Sequence, residues 1–382
     1  MECKYKLTDC LIGHSSEVTS LSITPDPQLN TSSINYFVSG SKDGTVIIWK
    51  STMLENNIPN TTLYRVLKGH SDVVQKVAIT NDQKFVISGS WDCNVCIWDI
   101  QSGECIKTIK HQSQVIDISY QRADVDYISS IQSNGMVMIW KLFSKIEEPT
   151  FHKSFHNDNN INNNNNGNRL NCCLLGYHPT LCTAGSDNKI FNCLNEFNEE
   201  LKSVKYNKPK NLKRKIPQFF KHKGGKINCI TFSPDYSILA SGCSDGELYL
   251  YSFNEPHFDH LMHFKTDNQI NNITFNPLKY WCTAANDNNI IIWDLESKDV
   301  IVNIIIDDLG YDINNENKNE IISKYKENWR DLEYHKTQLN LKKDQGILDK
   351  PFIRSLSICW LNGDIFYVAC DDGTIREYTL KQ

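Results

Sequence analysis

Residues 88–99 read SGSWDCNVCIWD. Small residues lead into a tight turn at Asp92, and an apolar run then ends on Trp98. That order is strand, turn, strand, with the Asp-centred turn chemistry of a hairpin. The cassette recurs as SGSKDGTVIIWK at 39–50 and SGCSDGELYLY at 241–251. Weaker copies follow one rule, a small polar residue six positions before an aromatic or its replacement. The pairs are Asp43–Trp49, Asp92–Trp98, Asn134–Trp140, Asp187–Cys193, Asp245–Tyr251, Asp287–Trp293 and Asp372–Tyr378. Seven copies of one offset make a repeat array.

A further strand precedes the hairpin in most copies, as in VTSLSIT, VVQKVAIT, VIDISY, INCITFS, INNITFN and SLSICW. Trp98 to Trp140 spans 42 residues, and so does Tyr251 to Trp293. Four strands at that period are the mark of propeller blades. The sequence therefore predicts an all-β chain, a seven-bladed β-propeller forming one domain over 1–382. After Asp372 there is chain for one strand, not two, and YKLTDCLI near the start supplies the missing outer strand of blade 7. That pairing closes the ring and leaves no open seam.

Longer spacings locate insertions. One is the Asn-rich run NDNNINNNNNGN at 157–168, which cannot bury apolar surface. A second is the basic segment 202–223, and a third falls at about 305–350, before blade 7. In the third, Ile322, Tyr325, Trp329 and Leu332 fall at the spacing of one helix face.

Composition narrows the function classes. The chain has 382 residues and a net charge of −5, too mild for a generic nucleic-acid coat. MECKYKLTDC has no apolar signal core, and no run of 18 apolar residues occurs, so neither secretion nor a membrane span is expected. The 14 cysteines, in a chain of this size without a signal, read as reduced cytosolic thiols that pack as small hydrophobes. No two CxxC motifs stand in tandem, so no metal and no cofactor is expected.

These cassettes resemble the WD-repeat family. In that family a His before the blade, a strand Ser or Thr, the turn Asp and the Trp form a hydrogen-bonded tetrad. The resemblance implies two full sets, His14, Ser39, Asp43 and Trp49, then His70, Ser88, Asp92 and Trp98. The chemistry is sound: a buried carboxylate needs donors, and an indole N–H needs an acceptor. His, Ser and Asp also suggest a catalytic triad. An active site needs one copy, whereas this set recurs, so the reading is structural and no enzyme is expected. His111 and His222 lead further blades. Blade 6 keeps Thr283, Asp287 and Trp293 without the His. Blade 4 has Cys193 at the Trp position; blade 7 has Val368 and Tyr378 at the Ser/Thr and Trp positions. Blades 4 and 7 are expected to depend more on apolar packing.

Two stretches carry a narrower resemblance: RVLKGHSDVVQKVAITNDQKFVISGSWDCNVCIWDIQSGE at 65–104 and TFNPLKYWCTAANDNNIIIWDLESKDVIV at 274–302. They resemble the receptor for activated C kinase family, scaffold propellers of the eukaryotic small ribosomal subunit. The resemblance covers nearly the whole chain outside the insertions. It implies a cytoplasmic, ribosome-associated adaptor docked near the messenger-RNA exit. Its partners would be ribosomal-RNA phosphates, ribosomal-protein tails and recruited signalling proteins such as kinases, with no membrane and no small-molecule substrate.

The family's docking residues map to Lys42, in the blade-1 turn, and to Arg65 and Lys68 at the blade 1–2 connection. Gly44 stands where the family has a second basic residue. Ser113 and the turn SNGMVM have lost positive charges in blade 3. A second basic patch comprises Lys202, Lys205, Lys208, Lys210, Lys213, Arg214, Lys215, Lys221 and Lys223, with Tyr206, Phe219 and Phe220 interleaved. It reads as a contact for RNA phosphates or an acidic tail, or as a solvated loop. The alternative function is another WD-repeat adaptor away from ribosomes. For a G-protein β subunit, 13 residues before His14 are too few for the expected helix. For a ubiquitin-ligase substrate receptor an appended domain is expected, and no stretch of this sequence reads as one.

Overall fold

The computed structural model describes residues 5–24, 34–54, 59–122, 126–143, 149, 151–154, 170–175, 181–186, 188–192, 219–221, 225–254, 257–287, 289–306 and 353–380. The Asn-rich run 157–168, the helical spacing at Ile322–Leu332 and most of 305–350 lie outside these residues. So do Asp187, Cys193, His222 and the basic residues Lys202–Lys215 and Lys223.

Blade 1 shows how each unit forms. Strands β2 (Val18–Ile23), β3 (Ile34–Ser41), β4 (Val46–Met53) and β5 (Pro59–Leu67) pair antiparallel in that order, from inside outward. β-Branched and aromatic residues dominate β3 and β4, so both faces of these middle strands are buried. Seven such four-stranded sheets form the described chain. The other inner strands are β6 (Val74–Ile79), β10 (Val115–Arg122), β14 (Leu170–Leu175), β18 (Ile227–Phe232), β22 (Ile270–Phe275) and β26 (Ser355–Trp360). Together they line a central channel of about 940 Å³.

The ring closes as the sequence predicts. Blade 7 orders its strands β1 (Tyr5–Ile12), β28 (Thr374–Leu380), β27 (Ile365–Cys370), β26. Tyr5 pairs with Leu380 and Ile12 with Thr374, so the first strand is the outer strand of the last blade. The basic segment 202–223 is less of an insertion than the sequence suggests. Phe219–Lys221 form β17, the outer strand of blade 4.

The core sits between blades rather than within them. Seven buried apolar clusters each join two neighbouring sheets. Between blades 7 and 1, Leu11, Phe37, Trp49 and Tyr367 meet, with Phe37 and Tyr367 stacked at 4.3 Å. Blade 7 adds Tyr5, Trp360, Phe366 and Tyr378, whose rings pack edge-on or stacked against one another.

A regularity absent from the sequence reading joins the blades near the channel. Each inner strand carries a β-bulge at its second residue, for example between Val18 and Ser20 and between Ile270 and Asn272. The bulged residue is skipped in the register of its own sheet, and its side chain can reach the next one. Thr19 Oγ1 donates to Val74 O at 2.6 Å; Asn171, Asn228 and Asn271 Nδ2 donate to Ile227, Ile270 and Ser355 carbonyls at 2.7, 3.0 and 2.8 Å.

Candidate functional site

Blades 1 and 2 bring their four polar residues together. In blade 2, His70 Nδ1 faces Asp92 Oδ2 at 2.7 Å and Nε2 faces Ser88 Oγ at 2.7 Å. Facing a carboxylate, Nδ1 carries the proton, and Nε2 accepts from the hydroxyl. Ser88 Oγ in turn accepts the Trp98 indole N–H at 2.8 Å. Blade 1 repeats this chain, with His14 3.2 Å from Asp43 and 2.7 Å from Ser39, and Trp49 donating to Ser39 at 2.8 Å. Burial alone would raise the Asp43 carboxyl, but His14, Thr45 and the Ser15 N–H outweigh it and hold the group well below the usual carboxylate range. Asp92 is lowered the same way, against its burial, by His70, Ser71 and Asn94.

The other blades solve the same problem with different groups. In blade 3, His111 Nε2 meets Ser130 Oγ at 2.8 Å, but Gln132 takes the place of the aspartate, accepting from the Gln112 and Ser113 N–H groups. Trp140 Nε1 is buried there without a hydrogen-bond partner. In blade 6, Asp287 Oδ1 accepts from the amides of Gln269 and Asn271 at 3.1 and 2.9 Å, donors that replace the missing imidazole. Thr283 accepts the indole N–H of Trp360 from blade 7 rather than one from its own blade. Blade 7 holds more than apolar packing. Asp372 is buried with Arg376, Oδ2 to Nη2 at 3.5 Å, and Thr374 donates to Oδ1 at 2.6 Å.

In blades 1 and 2 the Ser39 and Ser88 hydroxyls are shared between imidazole and indole, inside the blades. Burial pushes the Cys182 and Cys229 thiols up to about 12, so both stay protonated near neutral pH. Among the described residues, no group of three or more His, Cys, Asp or Glu side chains is placed to hold a metal ion. Among those residues, no helix is long and apolar enough to cross a membrane.

Surface chemistry concentrates attention on Lys42, Arg65 and Lys68. In an antiparallel four-stranded blade, the β3–β4 turn and the β5–β6 connection lie at the same end of the ring. The two touch here: a Cβ added to Gly44 would stand 3.4 Å from Asp72 O and 3.5 Å from His70 O. Lys42 and Lys68 therefore share an edge, and both are exposed. Neither is idle. Lys42 Nζ lies 2.5 Å from Glu17 Oε2, and Lys68 interacts within the chain. Arg65 behaves differently. Its guanidinium donates to Gln101 O and sits 5.2 Å over the Tyr64 ring. Gln101 belongs to the turn between β8 (Asn94–Asp99) and β9 (Cys105–Lys110), at the opposite end of the strands. Of the second basic patch, only Lys221 falls within the described residues, on β17.

Known proteins agree with this architecture. The family profile described as WD domain, G-beta repeat matches residues 3–50, 61–99, 213–252 and 258–294. The chain is 28% identical over 300 residues to the small ribosomal subunit protein RACK1 of Schizosaccharomyces pombe, covering 78% of this chain and 85% of that protein. With seven blades and a ring closed by the first strand, the chain is a β-propeller carrying WD repeats, and it is similar to RACK1 along most of both lengths.

Proposed function

We propose that this protein is a non-catalytic, ribosome-associated scaffold of the cytoplasm. It docks on the small subunit through Lys42 and Lys68, with the neighbouring Arg65 turned to Gln101 and Tyr64, and uses its other faces to recruit signalling or translation-regulating proteins, kinases among them. The observation that carries the reading is the match along 85% of a small ribosomal subunit protein. The clustering of Lys42 and Lys68 on one edge supports the choice of surface. Ribosomal-RNA phosphates and ribosomal-protein tails are the partners, and cations on a rigid edge bind phosphate without reading sequence. Arg65, fixed on Gln101 O and Tyr64, serves the edge mainly by holding blade 1 against blade 2.

The test is co-sedimentation with small ribosomal subunits across a salt series. Each phosphate contact should contribute roughly 0.7–0.9 to the logarithmic salt slope. The pair Lys42→Glu and Lys68→Glu should release the protein at moderate salt. Undiminished co-sedimentation of that variant would refute the surface. A wild-type protein that stays free at every salt concentration would favour a WD-repeat adaptor working away from ribosomes.

A further inference from the structure

Lys42 is held to Glu17 at two points. Its backbone N–H donates to Glu17 O at 3.0 Å, and its ammonium meets Glu17 Oε2 at 2.5 Å. The neighbouring Ser41 hydroxyl donates to Ser16 O at 3.2 Å, so the whole turn is tied to the segment before β2. Glu17 and Lys42 both stand at the rim of the central channel, beside Arg354. Arg354 is bonded to Asp371 at 3.0 Å and also feels the Glu17 charge. Arg354 is taken up by Asp371, and Glu17 occupies the lysine on which docking depends.

We propose that Glu17 is a built-in competitor for the phosphate site at Lys42, weakening docking and making it readily reversible. The inference rests on the docking reading above and adds a regulating residue to it. The argument is electrostatic. A phosphate reaching Lys42 must displace the carboxylate, which then remains nearby as a like charge. The two side chains keep 42% and 20% of their surface exposed, so solvent screens the pair. An exposed pair of this kind changes an equilibrium by up to about five-fold. That is weak enough for exchange and large enough to measure. The backbone bond between residues 17 and 42 survives any side-chain change, so the turn keeps its place when the carboxylate is neutralised.

The experiment compares wild type, Glu17→Gln, Lys42→Gln and the double variant. Two readouts are needed, equilibrium binding to purified small ribosomal subunits and the salt concentration of elution from immobilised heparin. Glu17→Gln should bind subunits about two- to five-fold tighter at low salt, with a steeper salt slope. It should also elute from heparin at higher salt. Both gains should disappear when Lys42 is glutamine. Heparin elution unchanged by Glu17→Gln, or shifted equally with Lys42 absent, would overturn the competitor role. A Lys42-dependent heparin shift without subunit binding by any variant would sustain the competitor role and sink the docking reading alone. Unchanged melting of Glu17→Gln would confirm that the fold is intact in the comparison.

Discussion

Glu377 accepts the Thr61 hydroxyl across the seam between the last blade and the first, Oε2 to Oγ1 at 3.0 Å. Its other oxygen accepts from Thr8 at 2.7 Å, and Thr61 also bonds the Tyr367 hydroxyl at 2.9 Å. One buried carboxylate therefore joins β1, β28 and β5. Glu377→Ala leaves those hydroxyls without their acceptor. The expected loss is about 2–4 kcal/mol, read as a lower melting temperature. Removing residues 1–10 takes away both Thr8 and most of β1, and should sharply reduce folded yield. A truncated protein with wild-type yield would sink this account of closure.

The indoles of two blades offer an internal control. Trp98 donates to Ser88, whereas the Trp140 N–H is buried without a partner. Trp98→Phe removes a bond, and Trp140→Phe removes only an unpaired donor. The first should cost about 1–2 kcal/mol more than the second in denaturant unfolding. Equal costs would mean that the Ser88 bond contributes nothing. Asp92→Ala, which strips His70, Ser71 and Asn94 of one shared acceptor, should cost more than either.

Acid should weaken the ring through Asp43 and Asp92. Both carboxyls are held below their ordinary value of 3.8 in the folded chain. A depressed folded value contributes stability above the unfolded one, and that stability is lost as pH falls through the folded value. Melting temperature should therefore fall steadily below about pH 4. Asp43→Asn should melt lower at neutral pH and show a shallower acid slope. A variant slope as steep as the wild type's would rule out Asp43 as a source of the effect.

Gly44 marks where restoring a charge meets a backbone limit. Its φ of 77° lies in the left-handed region, which suits glycine. Gly44→Lys should cost about 1–2 kcal/mol of stability, because a Cβ is strained there. It should also tighten subunit docking and steepen the salt slope. Lost stability with no gain in binding would show that the turn does not face the ribosome.

The blade cassette was legible because its offset is local: the residues from Asp92 to Trp98 lie on one hairpin. Closure was legible because a strand was missing at one end and spare at the other. The Gln269 and Asn271 amides on Asp287 were not legible, since any polar side chain can supply a donor to a carboxylate. The channel bridges left a trace, the Asn that recurs at the second position of INCITFS and INNITFN. Its meaning depends on the bulge, which no residue type announces. The proposed docking edge was legible only through family resemblance. That Lys42 is held by Glu17 and Arg65 by Gln101 follows from contacts between strands far apart in sequence.

The bulged residues add polar links between neighbouring blades at the hub, beside the apolar clusters that join the sheets. Away from the seam strands β1 and β5, a wheel built this way tolerates rewriting at its exposed rim positions. Sequence can be lengthened, shortened or exchanged between outer strands without altering the carbonyls that Thr19, Asn171, Asn228 and Asn271 grip. Lineages of this fold can thus acquire new recruitment surfaces at the periphery while the hub keeps its gauge.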